Sequence, residues 1–199
     1  MQGKFIVFEG IDKSGKETQA KMLYDYLHGK GIPVIYTEEP SPKNVIGRTI
    51  KKWLVRQATI TSGEAVTLLY TADRYEHLKN VIIPALNAGK NVICDRYFYS
   101  TIAYESAIFG VDKEWIRLLH KNVCKPDVVI FIDIDPEISL KRERSSPNDR
   151  LEKVELLRKV REAYRKMISE EKFFVVNGDR GKEEVFRDVR LVVDRIFGL

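Results

Sequence analysis

Apolar residues along this chain keep two alternating rhythms. Short continuous runs of four to six give way to longer stretches in which apolar positions recur every three or four residues, and the first rhythm marks strands, the second helices. Residues 4–9, carrying Phe5-Ile6-Val7-Phe8, read as a strand, and about 15–29 as a helix with Ala20, Leu23, Tyr24 and Leu27 on one face. Gly29-Lys30-Gly31 ends that helix, and Ile32-Pro33-Val34-Ile35-Tyr36 reads as the second strand. Residues about 43–57 look helical and polar on one side. Ser62-Gly63-Glu64 then starts a longer helix with Ala65, Leu68, Leu69 and Ala72 on one face, which Pro84 is expected to kink or break. After a turn at Gly89-Lys90-Asn91, Val92-Ile93-Cys94 forms a short third strand ending at Asp95-Arg96-Tyr97, followed by helical segments at about 98–108 and 112–122. The β-branched run Asp127–Ile132 has the continuity of a strand buried on both faces. Asp135-Pro136-Glu137 opens a further helix, and a polar, basic stretch runs from Lys141 to Arg150. A helix to about 171 follows, with Leu157, Val160, Tyr164 and Met167 on one side. Phe173-Phe174-Val175-Val176 is the fifth strand, and the last helix carries Val185, Val189, Val192, Val193 and Ile196.

Strands alternating with helices predict an α/β fold: a five-stranded parallel sheet with helices on both faces. Ligands of such sheets bind beyond the carboxyl ends of the strands. Gly10, Glu39, Asp95 and Asp133 all stand at such ends, so one cleft can collect them. The 199 residues suit a single domain, 1–199, with a basic lid segment at about 141–150. Hydrophobic residues make up 44% and charged residues 32%, and no apolar run approaches the ~20 residues of a membrane span. The chain enters its first strand directly, so no signal peptide is evident. Cys94 and Cys124 lack metal-binding spacing, and free thiols in a reducing cytoplasm are the simplest account of them. The net charge of +5 and pI near 9.1 fit a polyanionic ligand. The basic residues form no long block and have no interleaved aromatics, which does not favour nucleic acid.

The chemistry concentrates in Gly10-Ile11-Asp12-Lys13-Ser14-Gly15-Lys16, set between a strand and a helix as a phosphate-binding P-loop requires. Glycines let successive backbone N–H groups turn inward around phosphate oxygens, and the helix N-terminus adds a favourable positive end. Lys16 reaches the terminal phosphates as a point charge. The pattern wants Ser or Thr next, as a hydroxyl ligand for magnesium, and here Glu17 stands there with Thr18 after it. Glu17 either ligates the metal as a hard oxygen donor or only stabilises the first helical turn.

Several further segments carry a resemblance. They are Phe8-Glu9-Gly10-Ile11-Asp12, Leu68-Leu69-Tyr70-Thr71-Ala72-Asp73-Arg74, and Asp95-Arg96-Tyr97-Phe98-Tyr99-Ser100-Thr101-Ile102-Ala103-Tyr104. Pro126-Asp127, Asp133-Ile134-Asp135-Pro136-Glu137 and Asp149-Arg150-Leu151-Glu152 complete the set. Over nearly its whole length the chain resembles the thymidylate kinases, P-loop nucleoside monophosphate kinases. The resemblance implies transfer of the ATP γ-phosphoryl group to dTMP, giving dTDP and ADP, with magnesium, in a homodimer. It places Gly10, Ile11, Asp12, Lys13, Ser14, Gly15, Lys16, Glu17, Thr18 and Arg142 at ATP, with Arg142 or Arg144 packing on adenine. Arg96 would sit between the phosphates, Lys13 and Arg150 would add positive charge, and Asp95 would bind magnesium directly or through water. On the acceptor side it implies Asp12 at the sugar, Pro40 shaping the base pocket, Tyr70 stacking on the base and Arg74 reaching a carbonyl oxygen. Ser100 and Thr101 would lie at the pyrimidine edge, and Tyr104 would crowd a ribose 2′-hydroxyl. A second departure is Glu38-Glu39-Pro40, where the family commonly has an arginine that holds the acceptor phosphate, so Arg48, Lys51 or another residue must substitute. The competing readings are a kinase for another pyrimidine monophosphate such as dUMP, a P-loop NTPase acting as a switch or motor, and a non-catalytic nucleotide-binding protein.

Overall fold

In the computed structural model of this chain, residues 2–142 and 151–199 are described. Five strands, β1 (Phe5–Glu9), β2 (Val34–Glu38), β3 (Asn91–Asp95), β4 (Val128–Asp133) and β5 (Phe173–Asn177), form one sheet in the order β2-β3-β1-β4-β5. Every pairing is parallel. The apolar runs of β1, β3 and β4 are continuous because these strands are covered on both faces. Ile6, Phe8, Ile93, Ile130 and Ile132 pack against Ala20, Leu23 and Leu27 of α1 (Lys16–Gly29) and Val185, Val189 and Val193 of α9 (Lys182–Phe197). Phe5, Val7, Val92, Cys94, Val129 and Phe131 face the other core. That core is built from α5 (Phe98–Phe109), α8 (Val154–Glu170) and the segment Leu78–Leu86. Fully burying one such aliphatic or aromatic side chain contributes about 1.5–3 kcal/mol, and both faces hold more than ten.

Between β2 and β3 lie α2 (Val45–Leu54), α3 (Gly63–His77) and α4 (Ile83–Asn87). Asn44 and Ser62 cap α2 and α3 by accepting from Gly47 N and Ala65 N. Pro84, expected to kink or break the helix, does not end it, but the regular α-helical pattern of α3 stops at His77, ahead of the proline. A single π-helical turn, Leu78–Ile82, joins α3 to α4, and the backbone stays helical through Leu78 and Ile83. The widened turn places Pro84 in the first turn of α4, where a missing N–H costs little. After β3 come α5 and the short α6 (Lys113–Leu119), started by Asp112 accepting from Glu114 N. The segment α7 (Pro136–Arg142) follows β4. Of the basic stretch at 141–150, Lys141 and Arg142 close α7, and Arg144 and Arg150 lie outside the described residues. Among the described residues no helix is long and apolar enough to cross a membrane.

Register brings the chemistry together. Phe8 and Glu38 both pair with Asp95, so the carboxyl ends of β1, β2 and β3 finish level. The loops leaving them, at Gly10, Glu39 and Arg96, therefore surround one crevice.

Candidate active site

The loop after β1 turns into α1 through two unusual backbone positions. Gly15, immediately before the helix, has φ 92°, and Lys13 has φ 59°. A Cβ at Gly10 would lie 2.9 Å from the Ile132 carbonyl oxygen of β4, so that position has room only for glycine. The result is a loop folded over its own interior, with Lys16 buried and its Nζ 3.5 Å from Ile11 O. Burial, reinforced by the charge of Arg96, pushes the Lys16 pKa down. Asp12, Lys13, Ser14, Gly15, Lys16, Glu17 and Thr18 line one cavity together with Arg142, whose guanidinium donates to Ser14 O at 3.1 Å and to Gly178 O. Arg180 and Lys182, from beyond β5, add positive charge to the same cavity. Lys13 is ion-paired with Glu152 at 2.8 Å. Glu17 lies exposed in the first turn of α1 and pairs with Lys21, one turn on.

A second cavity adjoins the first. Asp12, Pro40, Tyr70, Arg74, Arg96, Ser100, Thr101 and Tyr104, eight positions on five separate segments, all line it. Asp12 lines both cavities. Arg96 follows β3 with φ 69°, a left-handed conformation uncommon outside glycine and often held at functional sites. Its guanidinium donates to Gly10 O at 3.1 Å, Ser100 Oγ at 3.0 Å, Tyr104 OH at 3.3 Å and Asp12 Oδ1. Tyr104 OH in turn donates to Asp12 Oδ2 at 2.9 Å. Burial works to raise the Asp12 pKa, but Arg96, Lys16 and these hydrogen bonds hold it below the ordinary carboxylate value.

Glu9 holds this constellation from behind. Its Oε1 accepts from Tyr97 N at 2.9 Å and Ser100 N at 3.2 Å, so a β1 carboxylate caps the N-terminus of α5. Its Oε2 accepts from Ser100 Oγ at 2.6 Å and Tyr164 OH at 2.7 Å. The Ser100 hydroxyl, expected at a pyrimidine edge, is thus engaged by Glu9, Tyr164 and Arg96. Thr101 Oγ1 accepts from Arg74 Nη2 at 3.2 Å. Arg74 is 1% exposed; its Nε donates to Glu39 Oε2 at 2.7 Å and its Nη2 lies 2.6 Å from the same oxygen. Its Nη1 lies 2.7 Å from His120 Nε2. Burial and the adjacent Arg74 charge lower the His120 pKa to about 4, so the ring is neutral, with Nδ1–H donating to Ile116 O and Nε2 accepting from Arg74.

The acidic residues at the strand ends part company here. Asp95 is buried and its Oδ1 has no hydrogen-bond partner among the described residues. Burial raises its pKa against the pull of Lys16 and Arg96. An orphaned carboxylate oxygen beside the loop is the donor a hard divalent cation takes. Neither Asp95 nor Asp133 lines the two cavities; Asp133 differs in being claimed by Arg161 at 2.7 Å and Arg165 at 3.0 Å, both from α8. Glu38, standing where an arginine was expected, pairs with Lys51 at 2.7 Å, whereas Arg48 donates to Lys43 O. The sheet also brings Glu39, His77 and Cys94 together, their ligand atoms within 4.8 Å, a grouping no sequence spacing shows. Arg74 already supplies the positive charge there.

Sequence reasoning assigned no role to Glu9, Glu105, His120 or Glu152, and placed Glu39 in the cleft without naming its partners. The available signal was a charged residue inside an apolar segment: Glu9 ends a run of four apolar residues, and Glu105 follows Ile102-Ala103-Tyr104.

A parallel sheet with a glycine loop after its central strand, joined to a second cavity lined by arginines and aromatics, defines a P-loop nucleotide kinase. The family model described as thymidylate kinase matches residues 8–189. The chain is 41% identical to a probable thymidylate kinase of Pyrococcus horikoshii, over the full length of both. It is 40% identical to a thymidylate kinase of Halothermothrix orenii across 95% of each chain. It is 36% identical to one of Plasmodium falciparum, covering 98% of this chain and 91% of that one. The chain belongs to the thymidylate kinase family.

Proposed function

We propose that the two adjoining cavities hold the two substrates of one reaction, ATP over the P-loop and dTMP over α3 and α5, and that the chain transfers the γ-phosphoryl group to give dTDP and ADP. An oxygen of the acceptor phosphate attacks the γ-phosphorus, and the bond from that phosphorus to the β–γ bridging oxygen breaks, leaving the charge on ADP. Such transfer needs positioned anions and positive charge more than covalent chemistry. The observation that carries the reading is the approach of Lys16 and Arg96. Lys16 is buried against the first cavity, and half-buried Arg96 lines the second, hydrogen-bonded to Gly10 O of the loop and to Asp12, which lines both. Two cations are kept this near each other where anions are to be bound between them.

Backbone N–H groups of the loop and Lys16 bind the ATP phosphates. Arg96, tethered to Asp12 at the boundary of the cavities, offers a planar fork to oxygens of both substrates. Lys13, held by Glu152, adds charge from the loop, and Arg142 faces the nucleotide side. Arg150 belongs to this set by resemblance. On the acceptor side Tyr70 stacks on the base, Arg74 points at a carbonyl oxygen and Pro40 closes the pocket. Tyr104, fixed between Asp12 and Arg96, excludes a ribose 2′-hydroxyl by occupying its place. Lys51 reaches the end of β2, where the missing arginine would act, and is our choice for the acceptor phosphate.

Magnesium fits the orphaned Asp95 Oδ1, with Glu17 in the first turn of α1 as the further oxygen donor. When bound it neutralises phosphate charge. Exposed Leu68 and Tyr75 on α3 and Leu118 on α6 support a homodimer, and sedimentation equilibrium tests that. The test of function is ADP release with ATP and magnesium across dTMP, dUMP, dCMP and AMP. Fastest turnover is expected with dTMP, and faster turnover with dCMP or AMP overturns the assignment.

A further inference from the structure

One carboxyl in the acceptor cavity has no structural task. Glu105, in α5, is 1% exposed and lines the cavity with Arg74 and Thr101. Its Oε2 is buried without a hydrogen-bond partner among the described residues. Buried polar groups are almost always paired, because an unpaired one carries its full desolvation penalty. Glu9, Asp12 and Glu39, the other acids around this cavity, each have several partners. An acid kept in place with none has its partner in what enters the cavity.

We propose that Glu105 is a specificity-determining residue of the acceptor site, its carboxyl paired with the base edge of a keto-pyrimidine. The inference rests on the second cavity being the acceptor site. Burial alone raises the Glu105 pKa to about 8, so the group is a neutral acid at pH 7. A neutral acid sets an O–H donor beside a C=O acceptor. The edge of thymine or uracil sets a carbonyl acceptor beside the N3–H donor, so the two match. An ionised carboxylate has acceptors only and meets the base carbonyl with repulsion.

Other groups lining the cavity do not reproduce this response, and Glu9 behind them, whose pKa burial also raises, is common to wild type and Glu105→Gln, so a flat profile in that variant separates the two acids. Across the cavity stand the carboxylates of Asp12 and Glu39, both held below their ordinary range, and the guanidinium groups of Arg74 and Arg96. The phenols are Tyr70, Tyr97 and Tyr104, and burial pushes the last two up. Behind them, His120 titrates near pH 4, and His77 is hydrogen-bonded to Glu39 and Thr37.

The test is calorimetric binding of dTMP to the full chain, without ATP or metal, between pH 7 and 9. The wild-type Kd is expected to hold steady below about pH 8 and then rise, approaching tenfold per pH unit as one proton is lost. Glu105→Gln keeps a donor and an acceptor, so its Kd should stay within a few-fold of wild type at pH 7 and flat to pH 9. Glu105→Leu should lose at least tenfold at pH 7 while melting no lower than wild type, since it removes an unpaired buried acid. A flat wild-type profile, a Glu105→Gln profile as steep as wild type, or Glu105→Leu binding as wild type would each overturn the proposal. Absence of dTMP binding by folded wild type at every pH would instead remove the acceptor reading beneath it.

Discussion

Replacing Glu39 by alanine should be the most damaging single change in the wall of the acceptor cavity. Its carboxylate and the Arg74 guanidinium are 2% and 1% exposed at the side chain and 2.6 Å apart. Oε1 also meets His77 Nδ1 at 3.1 Å. Removing the acid strands a guanidinium in the interior with the neutral His120 ring, the Thr101 hydroxyl and the face of the Tyr97 ring as its remaining partners among the described residues. Breaking a buried pair from one side typically costs about 3–5 kcal/mol. At roughly 2–4 °C per kcal/mol for a chain of this size, the melting temperature should fall by about 6–20 °C. Urea denaturation of Glu39→Ala, Arg74→Met and the double variant measures the pair directly. The double variant should recover most of the loss, because it leaves no buried charge unpaired. The acid limb of the stability profile gives a second reading. Burial works to raise the Glu39 pKa, but Arg74 and His77 outweigh it and hold the group below its ordinary 4.5. The contribution of the pair is therefore complete above about pH 4.5 and fades as pH falls through the folded pKa. Wild type should lose stability across that window and the double variant should lose less. A loss below about 1 kcal/mol in Glu39→Ala, or a double variant no more stable than it, would refute the reasoning.

Arg96→Ala should lower turnover at least a hundredfold, since one transition-state charge contact is worth about 3 kcal/mol or more, with the fold intact by circular dichroism; wild-type turnover would remove Arg96 from the mechanism. Glu17→Thr should shift the magnesium dependence of turnover, while loss of the exposed Lys21 pair costs only about 0.2–0.5 kcal/mol of helix stability. An unchanged magnesium titration would leave Glu17 a purely structural role. Asp95→Asn should abolish most magnesium-dependent turnover yet raise the melting temperature at neutral pH, because burial raises the pKa of a carboxylate that lacks a full set of partners. A lower melting temperature would show that the acid stabilises the fold.

Much of the site was legible because it is local. Gly10 to Lys16 is one continuous loop whose backbone geometry follows from its glycines, and Asp95-Arg96-Tyr97 sits where a strand must end. Tyr70 and Arg74 share a helix face and do line one cavity. Partnerships across the chain were not legible. Nothing in the spacing says that Glu9 caps α5 ninety residues on, or that Asp133 is taken by α8 while Asp95 is left open. Nor does it say that Lys51 rather than Arg48 meets Glu38, or that a π turn absorbs Pro84.

By itself the order of residues determined the strands, the helices, the parallel sheet and the phosphate loop. Each of these depends on hydrophobic period and backbone freedom over a few neighbouring positions. Only the tertiary structure decided which acids are paired and which stand open. Desolvation and hydrogen bonding act between groups that the sheet register brings together, and a carboxyl such as Glu105 acquires its character from what surrounds it in space.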